Sequence, residues 1–206
     1  EPLRQAAAAV VGLARELRDD HVTVEHVDLG GGLGIAYDGE PVPSADQYAA
    51  ALIEVVRPSG LTLVVEPGRA IVGAAGALLT SVIDVKPQPD GKWFVVLDAG
   101  MSELMRPALY GAYHRIVVVE PRATDPVLCD VVGPICESSD VFGVDRRLPL
   151  PAVGAVVAVL DAGAYGSAMA SNYNRHALPV EVMVDAGAWR VVRRRQTIDD
   201  QLVCEE

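Results

Sequence analysis

The sequence predicts two regimes in one chain: an α/β segment over residues 1–80 and an all-β domain over residues 81–206. Two observations separate them. Up to residue 80, helix-spaced apolar stretches alternate with short apolar runs, the α-β-α-β-α order that yields parallel strands joined by crossover helices. Beyond Ser81, β-branched runs succeed one another across turn residues, and helical spacing survives only near residues 104–114.

Each element has a local reason. Residues 2–18 carry alanines with Val10, Val11, Leu13 and Leu17, and Pro2 sits where a first helical turn tolerates it. Residues 22–28 read as a strand running into glycines. Ser44 can cap a second helix, with Gln47 three residues on completing a capping box. That helix runs through Tyr48, Leu52, Ile53 and Val56 until Pro58 and Gly60 stop it. Residues 61–65 form a continuous apolar run, the pattern of a strand buried on both faces. A third helical stretch is expected over about residues 71–79. Strands then follow at 82–85, 93–97, 116–119, 127–132, 156–160, 180–184 and 189–192, with turns at Pro89-Asp90-Gly91 and Asp185-Ala186-Gly187. This second regime reads as antiparallel.

Both early strands end in segments suited to chemistry, Gly30-Gly31-Gly32-Leu33-Gly34 and Glu66-Pro67-Gly68-Arg69. A (β/α)8 barrel builds its active site from the segments after its strands. Two strands cannot close such a barrel, and the chain opens without Met on Glu1-Pro2. More chain is therefore expected upstream.

The formal net charge of −11 disfavours nucleic acid and anionic membrane surfaces as partners. The run Arg193-Arg194-Arg195 reads as a solvated strand end. Three cysteines without CxxC spacing argue against a disulfide framework or structural zinc, and a reducing cytoplasm fits best. No apolar run reaches membrane-spanning length, and no signal peptide is visible.

The candidate residues each carry two readings. The glycine run lets backbone N–H groups approach an anion, or simply makes a tight turn. Glu66, expected buried at a strand end, could hold a pyridine nitrogen protonated, with Arg69 binding a phosphate or carboxylate. Otherwise the two form an internal ion pair. Cys136 and Glu137 follow Gly133-Pro134, which projects them on a loop as a proton donor and an amine binder. A buried, inert cysteine is the alternative. Arg106 and Tyr110 stand four residues apart, so they face one way on a helical turn and could grip a carboxylate. A surface Arg–Tyr stack is the other possibility. Tyr165 lies between glycines, in a site or in a turn.

Taken together, Asp28-Leu-Gly-Gly-Gly-Leu-Gly-Ile35, Glu66-Pro-Gly-Arg69, Arg106-Pro-Ala-Leu-Tyr110, Gly133-Pro-Ile-Cys-Glu-Ser-Ser-Asp140 and Gly163-Ala-Tyr-Gly-Ser167 resemble the diaminopimelate decarboxylase family of pyridoxal-phosphate (PLP) enzymes with the alanine-racemase-like fold. The resemblance implies the last two βα units of a PLP-binding TIM (β/α)8 barrel, then a C-terminal antiparallel β-domain. It implies PLP-dependent decarboxylation of meso-2,6-diaminopimelate to L-lysine in the cytoplasm. By position, Gly31 and Gly32 would bind the cofactor phosphate and Glu66 the pyridine nitrogen, with Pro67, Gly68 and Arg69 lining the site. Arg69, Arg106 and Tyr110 would take the distal carboxylate and Glu137 the distal ammonium. Cys136 would donate the proton and Tyr165 would touch both ligands. Cys136 and Glu137 would reach into the partner's active site in a homodimer. The family holds PLP on a lysine near the start of its barrel. The only lysines here are Lys86 and Lys92, flanking a turn of the β-domain, so that lysine is expected upstream. Three other readings stand beside this one: a relative acting on ornithine, arginine or carboxynorspermidine, a non-catalytic partner subunit, and a phosphate-binding barrel fragment without catalysis, which would leave the Cys136 loop unexplained.

Overall fold

A computed structural model describes residues 1–121 and 123–205. It divides into two compact units, Glu1–Ala74 and Ala75–Glu206.

The first unit opens with helix α1 (Pro2–Asp19), which buries Ala7, Val11 and Ala14 along one stripe. Strand β1 (His26–Asp28) follows, then helix α2 (Ala45–Val56), whose buried face is Tyr48, Leu52 and Val56. The capping box forms: Ser44 Oγ accepts from Gln47 N, and Gln47 Oε1 accepts from Ser44 N. Gly60, at φ 69°, turns the chain into strand β2 (Thr62–Val64), which pairs parallel with β1. Helix α3 (Gly68–Val72) ends in a 3-10 turn over Gly73–Ala75.

Three expectations need correction here. The strand expected at 22–28 shrinks to β1, because its start serves α1 instead. Val22 N donates to Leu17 O, and the Arg18 guanidinium takes the Val24 carbonyl at 2.6 and 2.9 Å. β2 is not buried on both faces: Val64 is 38% exposed, and among the described residues β1 is the one strand beside it. The third helix starts and stops earlier than 71–79. A Cβ on Gly76 would lie 2.4 Å from the Gly163 Cα, so backbone meets backbone there, and Ala162 N donates to Gly76 O.

The second unit is built on β3 (Leu78–Pro87), β4 (Trp93–Leu97), β5 (Ile116–Val118), β6 (Pro126–Val132), β7 (Val141–Pro149) and β8 (Val156–Val159). Among the described residues these form one sheet in the order β5-β8-β3-β4-β6-β7. Its core includes Val82, Val95, Leu97, Val131, Val157 and Val159. The short helix α4 (Arg106–Tyr110) lies between β4 and β5. Leu78 and Leu79 pair with Val159 and Ala158, so the sheet claims residues before 80.

The sheet is mixed rather than antiparallel, because β4 and β6 run parallel. The chain leaves β4 for the opposite edge, where β5 pairs with β8, and then returns to lay β6 beside β4. Strand β7 was not anticipated. Its Asp145-Arg146-Arg147 stretch hides the apolar alternation, while Asp145 adopts φ 55° and donates its N–H to Asp130 Oδ1. A separate hairpin joins β9 (Glu181–Asp185) to β10 (Ala188–Arg193). Its turn residues Ala186 and Gly187 both have positive φ, 47° and 79°, as a type I′ turn requires. The arginine run ends that hairpin: Arg193 pairs with Glu181, and Arg194 with Asp200. Helix α5 (Ile198–Leu202) closes the described chain, capped by Thr197 and Asp200.

Candidate functional site

In the first unit, both candidate loops follow parallel strands and are stitched together. Gly30 and Gly32 take φ 64° and 94°, a region costly for residues with a Cβ. Glu66 N donates to Gly30 O at 2.7 Å. The approach is close enough that a Cβ on Gly31 would meet the Glu66 carbonyl oxygen at 2.8 Å. Glycine at 31 is therefore a steric requirement. Among the described residues, the N–H groups of Gly31 and Gly32 find no acceptor. Tyr48, which the sequence did not single out, holds the loop from beneath: its hydroxyl donates to Gly31 O at 2.7 Å. Burial pushes the Tyr48 phenol up, helped by the Asp28 charge, so it remains a donor.

Glu66 is exposed rather than buried in this unit, and Pro67 and Arg69 are half-buried. Pro67 precedes the first turn of α3, and its carbonyl accepts from Ile71 N. Gly68 donates its N–H back to Glu66 O at 2.8 Å, which turns the chain directly after the carboxylate.

In the second unit, Arg106 begins α4 and is only 6% exposed, whereas Tyr110 is 65% exposed. One turn of helix therefore does not present them alike. Arg106 instead lies over the Tyr165 ring, 5.9 Å from its centroid. Its Nη1 stands 3.2 Å from His114 Nε2, and His114 Nδ1 stands 2.9 Å from Leu160 O. The carbonyl can only accept, so Nδ1 carries the proton and Nε2 accepts from arginine. Burial pulls the His114 imidazole below its usual range, with Arg106 adding to the effect against the Leu160 bond, and the ring is neutral. A neutral imidazole orients the guanidinium without cancelling its charge.

Tyr165 is itself strained into position. It has φ 61° and sits in a loop whose start is fixed by Asp161, also at φ 60°. Asp161 is 2% exposed and accepts two bonds from Arg115, at 2.7 and 2.8 Å. At Gly166 a Cβ would lie 2.3 Å from Ala162 O, so this loop closes on its own backbone.

Cys136 and Glu137 are both exposed on the loop between β6 and β7. The buried cysteine is Cys129, whose thiol burial pushes up. Glu137 borders an open pocket of about 560 Å³ together with Met101, Met105, Ser171 and Tyr173. Lys86 and Lys92 are both committed elsewhere. Lys86 pairs with Asp84 at 3.0 Å, and Lys92 with Asp145 and Asp130 at 3.2 and 3.4 Å. The Asp145 hydrogen bond holds Lys92 above its usual range despite some desolvation, so it remains an ammonium. Among the described residues no group of acidic, His or Cys side chains could hold a metal, and no helix is long and apolar enough to cross a membrane.

Known proteins resemble the chain along most of its length. The profile of a family described as pyridoxal-dependent decarboxylase, C-terminal sheet domain, matches residues 19–163. The chain is 45% identical over 204 residues to diaminopimelate decarboxylase of Neisseria meningitidis serogroup A, an alignment covering 99% of this chain and 50% of that protein. The crystal structure of diaminopimelate decarboxylase from Helicobacter pylori complexed with L-lysine superposes with a TM-score of 0.90 at 38% identity, covering 98% of this chain and 50% of that one. The corresponding M. jannaschii enzyme, also with L-lysine, gives 0.92 at 36% identity, covering all of this chain and 48% of that one. The chain spans about half the length of the curated relatives it matches.

Proposed function

Since this chain belongs to the pyridoxal-dependent decarboxylase family, we propose that it is the C-terminal half of an enzyme that converts meso-2,6-diaminopimelate to L-lysine and CO2. The observation that carries the reading is the 45% identity across nearly the whole chain to a diaminopimelate decarboxylase. In this reading residues 1–80 supply the last two βα units of a (β/α)8 barrel, and residues 81–206 the β-domain.

The residues present fit PLP. The Gly31 cradle admits no Cβ, and the Gly31 and Gly32 N–H groups await an anion such as a phosphate. Glu66, Pro67, Gly68 and Arg69 follow the neighbouring strand, with Glu66 set to hold a pyridine nitrogen. PLP, when bound, supplies the electron sink that decarboxylation requires. The chain's own residues then choose the substrate and deliver a proton. Arg69, Arg106 and Tyr110 bind the distal carboxylate, and Glu137 binds the distal ammonium. Charge-assisted bonds to a buried guanidinium are worth roughly 1.5–3 kcal/mol each. A substrate without a distal carboxylate forgoes these bonds and is disfavoured. Tyr165, stacked on Arg106, contacts both cofactor and substrate. Cys136 gives its Sγ proton to the α-carbon. Its exposure, with Glu137 beside it, supports action across a homodimer interface in the partner's site. Lys86 and Lys92, each held in ion pairs of the β-domain, are poor candidates for holding PLP.

The test is a chimera in which this chain replaces the matching half of the Neisseria meningitidis relative. CO2 release from meso-diaminopimelate should exceed that from ornithine by at least a hundredfold, and Cys136→Ala should lower it. Faster release from ornithine would overturn the assignment.

A further inference from the structure

We infer that Asp140 is a positioning residue that holds Cys136 and Glu137 on their loop, an inference that rests on the proposed roles of those two residues. Asp140 is 4% exposed and sits at the end of the loop, not in the pocket. Its two carboxylate oxygens accept from two different backbone donors. Oδ2 takes Ile135 N at 2.7 Å, immediately before Cys136, and Oδ1 takes Met101 N at 2.7 Å from the segment after β4. Its backbone closes the same loop: Gly133 N donates to Asp140 O, and Asp140 N to Glu137 O. The chain before Cys136 and the chain after Glu137 are thus tied to one buried residue, through its side chain and its backbone.

Neighbouring glycines are shaped to that carboxylate. A Cβ on Gly133 would lie 2.3 Å from Asp140 Oδ2, and one on Gly100 would lie 2.8 Å from either oxygen. Burial raises the Asp140 carboxyl against its two N–H bonds, with the Glu103 charge adding to the effect and His176 opposing it. An aspartate with that desolvation cost fits a role that needs two acceptors on one short side chain. Asparagine offers one oxygen, and its NH2 would face the second N–H donor. Glutamate is too long for the space the glycines leave.

A second buried carboxylate extends the brace to the far wall of the pocket. Glu103 Oε2 accepts from Gly100 N at 2.7 Å and from Ser102 Oγ at 3.0 Å, and Oε1 lies 3.2 Å from His176 Nδ1. Ser171 N donates to Ser102 O. Residues 100–103 therefore anchor the Glu137 side through Asp140, and the Ser171–Tyr173 side through Glu103 and the Ser102 carbonyl.

The test uses the 206-residue chain with Cys204→Ser, which leaves Cys136 the exposed thiol. In the unmodified brace, amide exchange of Ile135 and Met101 should be slowed at least a hundredfold relative to unstructured peptide. Exchange of both at the unstructured rate would overturn the inference, and this readout stands even if every Asp140 variant fails to fold. In Asp140→Asn, cleavage by a glutamate-specific protease after Glu137 should accelerate at least tenfold, while cleavage after Glu120 and Glu181 stays within twofold. Unchanged cleavage at Glu137, or parallel acceleration at all three sites, would each sink the idea. None of these readouts involves decarboxylation, so they can fail while the substrate assignment stands, and the converse holds too.

Discussion

Asp161 offers a clean separation of electrostatics from backbone strain. It is 2% exposed, accepts two bonds from Arg115, and sits at φ 60°. Asp161→Asn removes the charge but keeps one acceptor, and asparagine tolerates the left-handed region about as well as aspartate. Arg115 is half exposed, so water recovers much of its lost pairing. The expected cost is about 1–2 kcal/mol, the loss of one charge-assisted bond. Asp161→Gly loses both bonds without backbone strain, for about 2–3 kcal/mol. Asp161→Ala adds the left-handed penalty of roughly 1 kcal/mol to the same loss. The order of stability should be wild type, Asn, Gly, Ala. In a domain of this size each kcal/mol lowers Tm by roughly 3–5 °C, so thermal unfolding at one fixed pH resolves the series. Equal Tm values for the Gly and Ala variants would refute the strain argument. An Asn variant indistinguishable from wild type would reduce the Arg115 pair to an ordinary surface contact. The functional corollary is that Tyr165, four residues on, becomes more protease-accessible in the order of lost stability.

Further outcomes follow from the same geometry. Gly31→Ala drives a methyl into the Glu66 carbonyl and should lower inorganic phosphate or PLP binding at least tenfold by fluorescence titration, while Gly34→Ala, whose nearest contact is 3.9 Å, should change it less than twofold. His114 is held neutral in the fold, so its folded proton affinity lies below its unfolded one, near pH 6.5. As pH falls below that value the unfolded chain takes up the proton first and stability declines; His114→Gln should flatten the decline in Tm between pH 7 and pH 5. Asp140 acts with the opposite sign. Its raised carboxyl contributes stability below about pH 4 that is lost as pH rises through its folded value. In the chimera, Arg106→Met should cost at least a hundredfold in kcat/KM on meso-diaminopimelate and narrow the preference over ornithine.

Several of these features could be read directly from the sequence. The capping box at Ser44 and Gln47 formed because both partners lie within one turn. The Asp185-Ala186-Gly187 hairpin formed around Gly187, which takes positive φ freely, while Ala186 bears the strain of φ 47°. The loop motif around Cys136 was visible as a string, but Asp140 in that string gave no hint of its role. Its partner Met101 lies 39 residues away, across strand β6. Tyr48 looked like an ordinary helix-face aromatic, and only the fold brings its hydroxyl to Gly31. β7 was hidden because two of its charged residues meet partners far away in the chain, Asp145 the Lys92 ammonium and Arg146 the Tyr113 ring, which no local pattern reveals.

Helix caps, turn types, the switch from helical to strand spacing and the identity of the chemical groups depend on near neighbours and were legible along the chain. Which of those groups are buried was settled by the packing of distant segments. Arg106 and Tyr110, one turn apart, went to opposite environments, and Glu66 emerged exposed where a buried acid was expected. The physical reason is that burial is a sum over contacts between segments distant in the chain. Desolvation, charge pairing and the space left for a Cβ all follow from that sum, and no local spacing encodes it.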